Sequence, residues 1–223
     1  MKNLTFSLLL LIALVSCKKT TNMEVTLPTS GKLSYKLLDD NGKGMPGVNI
    51  NLHDLVDGLN IEPVVLSRIV TNANGVADFG ELNPGTYYIT ADSPKVNNVA
   101  YIIKEYVQVI NGGMSEKSLK VTDFSGSITL RFGSYFDQAP ASGIGILLIP
   151  FKKYSTSPIA VLSKVADFKG TTNAAGELSF RVPSLKNYTV VAYNLKTGRT
   201  YDAYMNFTVN TNENKNAYYG LPL

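Results

Sequence analysis

The side chains best suited to catalysis or metal binding are scarce in this chain of 223 residues, which contains a single histidine, His53, and a single cysteine, Cys17. One histidine and one cysteine are too few for a zinc site of the His/Cys type, which takes four ligands. A Ser-His-Asp or Cys-His arrangement would have to use His53 alone. We therefore expect no catalytic residue, no metal and no cofactor, and we interpret His53 as a partly exposed residue at the end of a strand.

Cys17 stands at the end of an apolar run near the start of the chain. Lys2 precedes a stretch without charge at 4–15, which is too short for a membrane-spanning helix of about 20 residues and typical of the apolar core of an export signal. Leu14-Val15-Ser16-Cys17 resembles the lipobox of bacterial lipoproteins. The resemblance implies a lipoprotein signal peptide at 1–16 that is removed before Cys17, and lipidation of Cys17. An ordinary secretory signal with a chance cysteine is the alternative.

The charge of the chain is mildly basic, with a formal net charge of +4. Basic residues do not cluster with interleaved aromatic residues, so nucleic acid is not an expected partner. Lys18 and Lys19 follow the cysteine directly and can lie against anionic lipid head groups. We expect a lipidated tether at 17–28 that attaches the protein to a membrane of the bacterial cell envelope, with the outer membrane as the predicted location. Whether it faces the surface or the periplasm stays open.

Two further patterns suggest binding chemistry. Asp39-Asp40-Asn41-Gly42 is similar to the start of a calcium loop, but the twelfth position is Ile50 instead of Glu, so we interpret it as a hairpin turn. Tyrosines cluster near the end of the chain, at Tyr201, Tyr204, Tyr218 and Tyr219. Aromatic rings serve as binding anchors. Strand alternation places Tyr201 and Tyr204 on opposite faces, and likewise Tyr218 and Tyr219, so at most half of these tyrosines can line one surface.

An internal repeat organises the region that follows the tether. Residues 71–79 (TNANGVADF) align with residues 172–180 (TNAAGELSF) at an offset of 101. Residues 48–52 align with residues 144–148 at an offset of 96, so the second copy has a loop five residues longer between the two blocks. A period near 100 residues is too long for solenoid units and fits whole domains.

Each copy divides into seven predicted strands separated by turn signals, a pattern typical of a β-sandwich. Sustained helical periodicity is absent from the sequence, so we expect little helix after residue 20. The predicted fold class is all-β, with two tandem seven-stranded immunoglobulin-like (prealbumin-like) β-sandwiches. The predicted strands lie at 32–38, 48–53, 64–71, 76–80, 86–91, 100–109 and 118–122 in the first copy, and at 127–132, 145–151, 160–167, 177–182, 188–193, 200–209 and 216–220 in the second.

The first copy carries a set of spaced motifs: Gly31-x-Leu33, Asp40-x-Gly42, Pro46-Gly47-Val48-x-Ile50-x-Leu52, Thr71-x-x-x-Gly75-x-x-x-Phe79 and Leu82-x-Pro84-Gly85-x-Tyr87. These resemble the carboxypeptidase regulatory-like domain, a relative of the transthyretin-like (prealbumin-like) sandwiches. The resemblance implies such a β-sandwich at 29–123 and a second, divergent one at 124–223. It also implies a non-catalytic accessory or display module, and it carries over no catalytic residue.

Two classes of function remain open, and an enzyme is not expected. The first is a lipid-anchored structural, display or protein-interaction module. The second is a glycan-binding lipoprotein accessory to an outer-membrane polysaccharide uptake system. The predicted contact residues for a protein or glycan partner are Lys152, Lys153 and Tyr154, in the longer loop of the second copy. If the two sandwiches stack end to end, we expect this loop at the far end of the second one.

Overall fold

The computed structural model describes residues 29–54, 64–201 and 206–223, so Cys17, the predicted signal peptide and the tether lie outside the described residues. The described chain is mostly β, as predicted. Its strands are β1 (Gly31–Leu38), β2 (Asn49–Asp54), β3 (Val65–Val70), β4 (Val76–Leu82), β5 (Gly85–Ala91), β6 (Lys95–Val96), β7 (Val99–Ala100), β8 (Ile103–Val109), β9 (Met114–Lys120), β10 (Ser125–Ser134), β11 (Ile144–Pro150), β12 (Phe168–Thr171), β13 (Glu177–Pro183), β14 (Tyr188–Asn194), β15 (Asn206–Phe207) and β16 (Asn214–Leu221). The described helices are α1 (Ile159–Val165) and the 3₁₀ turns Val121–Asp123 and Phe151–Lys153.

In residues 29–123, the first half, the strands form two main sheets with the orders β4-β1-β9 and β3-β2-β5-β8. β1 pairs antiparallel with β4 and parallel with β9. The alternate residues Leu33, Tyr35 and Leu37 of β1 are fully buried, as the period of two predicts. The Tyr35 hydroxyl donates to Glu105 Oε1 across the core at 2.5 Å. Burial, together with the Glu105 carboxylate, raises the pKa of Tyr35 far above its usual value.

Residues 124–223, the second half, repeat this arrangement with the sheet orders β13-β10-β16 and β12-β11-β14-β15. β10 pairs antiparallel with β13 and parallel with β16, as β1 does with β4 and β9. The cross-strand pair Asn51–Thr90 in the first half corresponds to Leu147–Val191 in the second, at the offsets of 96 and 101 seen in the sequence. Residues that align in the sequence therefore occupy equivalent positions in the sheets.

The repeated Thr-Asn-x-x-Gly segment has the same hydrogen bonds in both halves. Thr71 Oγ1 accepts from the Val48 amide at 2.9 Å and donates to the Met45 carbonyl at 2.6 Å. Thr172 Oγ1 accepts from the Ile144 amide at 3.0 Å and donates to the Ala141 carbonyl at 2.6 Å. The threonine hydroxyl thus ties two segments together in each half, which gives a physical reason for the repeat.

The turn after this threonine depends on an asparagine and a glycine. Asn72 Oδ1 accepts from the amides of Asn74 and Val76, the side-chain arrangement of an Asx turn. Gly75 has φ +77°, and a Cβ at this position would lie 2.4 Å from the Leu37 carbonyl oxygen. Only glycine fits this combination of positive φ and close backbone approach.

Several predicted strand boundaries in this all-β assignment were wrong. The predicted strand at 100–109 begins only at Ile103, because residues 97 and 98, with φ of 51° and 65°, form the turn of the unpredicted hairpin β6–β7. The last strand of the first half begins at Met114 and ends at Lys120, since it pairs with β1 from Lys32 to Leu38. The described part of the predicted strand at 200–209 pairs only at Thr200 and in β15.

The predicted strand at 160–167 is wrong, because helix α1 occupies residues 159–165. α1 covers the outer face of the β11–β14 pair, where Leu162 packs with Leu147, Ile149 and Val191. All seven residues of β11 are buried. One face of this strand packs in the sandwich core, and the other face is covered by α1. The uninterrupted apolar run of β11 requires such a cover.

The two halves contact each other through side chains of both cores. Phe168 is partly buried against the core of the first half and against that of the second. Lys186 Nζ donates to the Ala100 carbonyl at 3.0 Å across the same junction.

In the described ranges, no helix is long and apolar enough to cross a membrane.

Candidate functional site

A cleft of about 570 Å³ lies where the two halves meet, and we call it the junction cleft. The first half contributes the β6–β7 hairpin and the chain that follows it, and the second half contributes the segments after β11 and β13. Its walls combine aromatic rings with lysine side chains. The lining residues used below are Lys95, Tyr101, Phe151, Lys152, Lys153, Asp167 and Lys186.

Local hydrogen bonds fix the two walls of the junction cleft. On the first-half side, the Tyr101 amide donates to the Pro94 carbonyl at 2.9 Å and closes the loop around the β6–β7 hairpin. On the second-half side, the Phe151 amide donates to the Asn187 carbonyl at 2.9 Å. Phe151 opens a 3₁₀ turn directly after β11, so the two residues that follow it project from a rigid strand end.

A partly buried ion pair lies at the base of the junction cleft. Lys186 Nζ is 2.5 Å from Asp167 Oδ2, and their side chains are 15% and 5% exposed. The Tyr188 hydroxyl donates to the same carboxylate oxygen at 3.0 Å. Burial raises the pKa of Tyr188 far above its usual value, and the Asp167 carboxylate raises it further. This cluster holds the second-half wall of the cleft against Ala100 of the first half.

The rim of the junction cleft is positively charged. Lys95, Lys152 and Lys153 are exposed, and none of the three forms an ion pair within the part of the chain that the structure describes. Lys186 is neutralised by Asp167, so the three rim lysines determine the local charge. Ammonium groups above aromatic and aliphatic surface suit a ligand with both acidic and apolar groups.

The structure brings together two of the three predicted contact residues. Lys152 and Lys153 line the junction cleft, whereas Tyr154 packs against the apolar cluster beneath α1. The predicted position of this loop at the far end of the second sandwich is wrong, because the loop lies beside the first half. The Ala141 amide donates to the Phe132 carbonyl near the end of β10, and β11 then leads the chain back to the junction, where its last residue, Pro150, lines the cleft.

The other sequence patterns have local structural roles. Asp39 Oδ1 accepts from the amides of Asn41 and Lys43, as expected of a hairpin turn. Tyr219 is buried and Tyr218 is exposed, in agreement with the predicted alternation. Tyr204 lies outside the described residues. Among the described residues, no group of three or more His, Cys, Asp or Glu side chains is placed to hold a metal ion.

Comparison with known proteins gives only distant structural similarity. No family model matches the chain, and no curated protein matches it. The TIE protein of Bacillus anthracis has a TM-score of 0.39 and 15% identity, over 86% of this chain and 34% of that chain. A Streptococcal ancillary pilin has a TM-score of 0.38 and 15% identity, over 86% of this chain and 62% of that chain. The minor pilin GBS52 of Streptococcus agalactiae has a TM-score of 0.37 and 16% identity, over 86% of this chain and 95% of that chain.

This chain therefore spans about a third of the first of these structures and less than two thirds of the second. TM-scores and identities this low add no argument about what the chain does.

Sequence reasoning missed most of the junction cleft. Lys95 and Tyr101 come from the first half, about fifty residues before Lys152 in the sequence, and only tertiary structure brings them together. One signal was available, because Lys186 stands in the segment 183–187 that replaces the compact turn of the first copy. Departures from a repeat mark positions where the two copies have different neighbours.

Proposed function

We propose that this protein is a non-catalytic, lipid-anchored binding module of the bacterial cell envelope, located at the outer membrane. In this proposal, residues 1–16 form a lipoprotein signal peptide and residues 17–28 form a tether lipidated at Cys17. Residues 29–123 and 124–223 are two tandem seven-stranded immunoglobulin-like (prealbumin-like) β-sandwiches. The first is of the carboxypeptidase regulatory-like type and the second is a divergent copy.

The junction cleft is the observation that carries a binding role. Its rim lysines and its aromatic wall come from turns, loops and the short β6–β7 hairpin, and connecting segments on a rigid scaffold are common binding positions. The Lys186–Asp167 pair connects these loops to the sheets, so the surface is preorganised. We propose that the cleft binds an acidic segment of a protein partner in the envelope.

The alternative is a glycan-binding lipoprotein accessory to an outer-membrane polysaccharide uptake system. The specific observation in its favour is a row of aromatic rings on the outer face of the β3-β2-β5-β8 sheet of the first half. The rings of His53, Tyr88 and Tyr106 follow one another across three strands.

The anchoring part of the proposal is tested with Cys17→Ala. We expect this variant to lose metabolic labelling with a fatty-acid probe and to leave the membrane fraction, because no lipid is attached. A variant at a neighbouring position, Thr20→Ala, is the control and should stay in the membrane fraction. Undiminished membrane association of the Cys17→Ala protein would contradict the lipoprotein assignment.

The binding part is tested by charge reversal at the rim, with Lys152→Glu and Lys153→Glu combined. A photo-crosslinker placed at Phe151, in the cleft, should capture an envelope protein in the parent protein and lose this product in the double variant. The matched control reverses two cations outside the cleft, Lys196→Glu and Arg199→Glu, and should keep the product. Equal crosslinking by both double variants would contradict binding through the junction cleft.

A further inference from the structure

Two parallel rows of side chains cross the outer face of the β3-β2-β5-β8 sheet in the first half. The ring row consists of His53, Tyr88 and Tyr106. The ring centroids of His53 and Tyr88 are 5.6 Å apart, and those of Tyr88 and Tyr106 are 5.2 Å apart. Tyr106 is 63% exposed and forms the open end of the row. The ring planes of His53 and Tyr88 are tilted by 52°, and those of Tyr88 and Tyr106 by 43°, so the three rings form a stepped aromatic strip about 10 Å long, on which each ring can offer its own face.

The polar row lies two residues away from the ring row on β2, β5 and β8, and it extends onto β3. It consists of Arg68, Asn51, Thr90 and Lys104. Arg68 Nε donates to Asn51 Oδ1 at 2.7 Å, and Asn51 Nδ2 donates to Asp92 Oδ1 at 3.1 Å. These bonds hold the row in place. A guanidinium has four N–H donors besides Nε–H, and an ammonium has three, so the row still offers hydrogen bonds to a ligand.

The two rows are joined into one surface by a hydrogen bond between neighbouring strands. His53 Nε2 lies 2.9 Å from Thr90 Oγ1, so one member of the ring row is oriented by one member of the polar row. The rings therefore belong to a preorganised face that includes the polar network.

The repeat supplies an internal comparison for this face. The positions of Asn51 and Thr90 are occupied in the second half by Leu147 and Val191, and these two are covered by Leu162 of α1. An apolar helix could not cover the face of the first half in the same way. It would bury the polar row without new hydrogen bonds, which is energetically unfavourable.

We infer that this face of the first half binds a carbohydrate chain. A pyranose ring presents C–H groups on its flat faces and hydroxyl groups around its edge, so one chain can stack on the ring row and hydrogen-bond to the polar row at the same time. A protein strand would add at an edge of the sheet and leave the ring row uncovered. The inference rests on the proposed binding function and gives the ligand class of a second surface, apart from the junction cleft.

The test measures retardation of the full-length protein, purified in detergent, in native gels that contain one soluble polysaccharide each. The probes are laminarin, amylopectin, xylan and galactomannan, with an empty gel as reference. We expect at least one probe to retard the parent protein. Tyr106→Ala should weaken the apparent affinity for that probe at least tenfold, and Tyr106→Phe, which keeps the ring, should stay within about threefold of the parent.

Tyr218→Ala is the matched control, because Tyr218 is a 49% exposed tyrosine on a strand of the second half, away from both rows. It should bind like the parent. Arg68→Met tests the polar row and should also weaken binding, with unchanged circular dichroism. The absence of tryptophan allows tyrosine fluorescence to report ligand contact in the same samples.

The inference is overturned if none of the four probes retards the parent, or if Tyr106→Ala and Tyr218→Ala behave alike. A failure of this kind is distinguishable from failure of the proposed function. Membrane anchoring through Cys17 and crosslinking through Phe151 are measured separately, and both can hold for a protein that binds no polysaccharide.

Discussion

At the scale of single residues, Lys186 is predicted to make a large contribution to stability. Its ammonium group bonds to Asp167 and to the Ala100 carbonyl, and both charged side chains are largely buried. Lys186→Met removes the cation and leaves the Tyr188 hydroxyl as the hydrogen-bond donor to this carboxylate. We expect the free energy of unfolding to fall by about 3 kcal/mol, measured by urea denaturation, because a buried charge loses its partner.

Two variants show whether this loss comes from the buried charge. Combining Lys186→Met with Asp167→Asn removes both charges and keeps an acceptor for Tyr188, so part of the lost stability should return. Arg131→Met breaks an ion pair with Glu177 in which the arginine side chain is 62% exposed, and it should cost under about 1 kcal/mol. The explanation is wrong if Lys186→Met costs no more than Arg131→Met.

At the scale of elements, α1 shows how one short helix completes a sheet. Leu162 is 2% exposed and fills the contact between α1 and the outer face of β11 and β14. Leu162→Ala should lower the free energy of unfolding by about 3 kcal/mol, because it leaves a cavity between helix and sheet. Chemical denaturation followed by far-ultraviolet circular dichroism measures this loss.

The control for Leu162→Ala is a substitution at Val161, the exposed residue that precedes Leu162 in the same helix. Val161 is 48% exposed on the same helix, so Val161→Ala should change stability by less than about 0.5 kcal/mol. Similar losses for both variants would mean that the helix, and not its contact with the sheet, determines the effect.

At the scale of the whole molecule, the parallel pairing of first and last strands determines where the chain enters and leaves each half. β1 runs parallel to β9, and β10 runs parallel to β16, so entrance and exit lie at opposite ends of each sheet. We expect the two halves to form a short rod. Small-angle scattering of residues 24–223 should give a radius of gyration clearly above the value of about 16 Å expected for a compact protein of 200 residues.

A radius of gyration at the compact value would contradict the rod.

The fragments 24–123 and 124–223 test whether each half folds independently. Each should show a β-type circular dichroism spectrum and a cooperative melt, because each half has its own buried core. The second fragment should melt at a lower temperature than the intact protein, since it loses the Ala100 acceptor of Lys186 and the first-half contacts of Phe168.

The sequence by itself determined the all-β class, the repeat and most strands of both halves. These features depend on local chemistry, which can be read without knowing the partners. Alternation with a period of two places Leu33, Tyr35 and Leu37 in the core, and Gly75 permits the backbone of a tight turn. Residues aligned by the repeat, at offsets of 96 and 101, occupy equivalent positions in the sheets, because equivalent turns impose the same register.

Only the tertiary structure decided the nature of residues 159–165 and the position of both candidate binding surfaces. A short apolar segment can form a strand or a helix. Here the segment forms a helix, which buries the outward apolar side chains of β11 that would otherwise be exposed to water. Lys95 and Lys152 line the same cleft because β11 leads the chain back to the junction. This proximity depends on long-range packing, and the local sequence around each residue carries no signal of its distant neighbours.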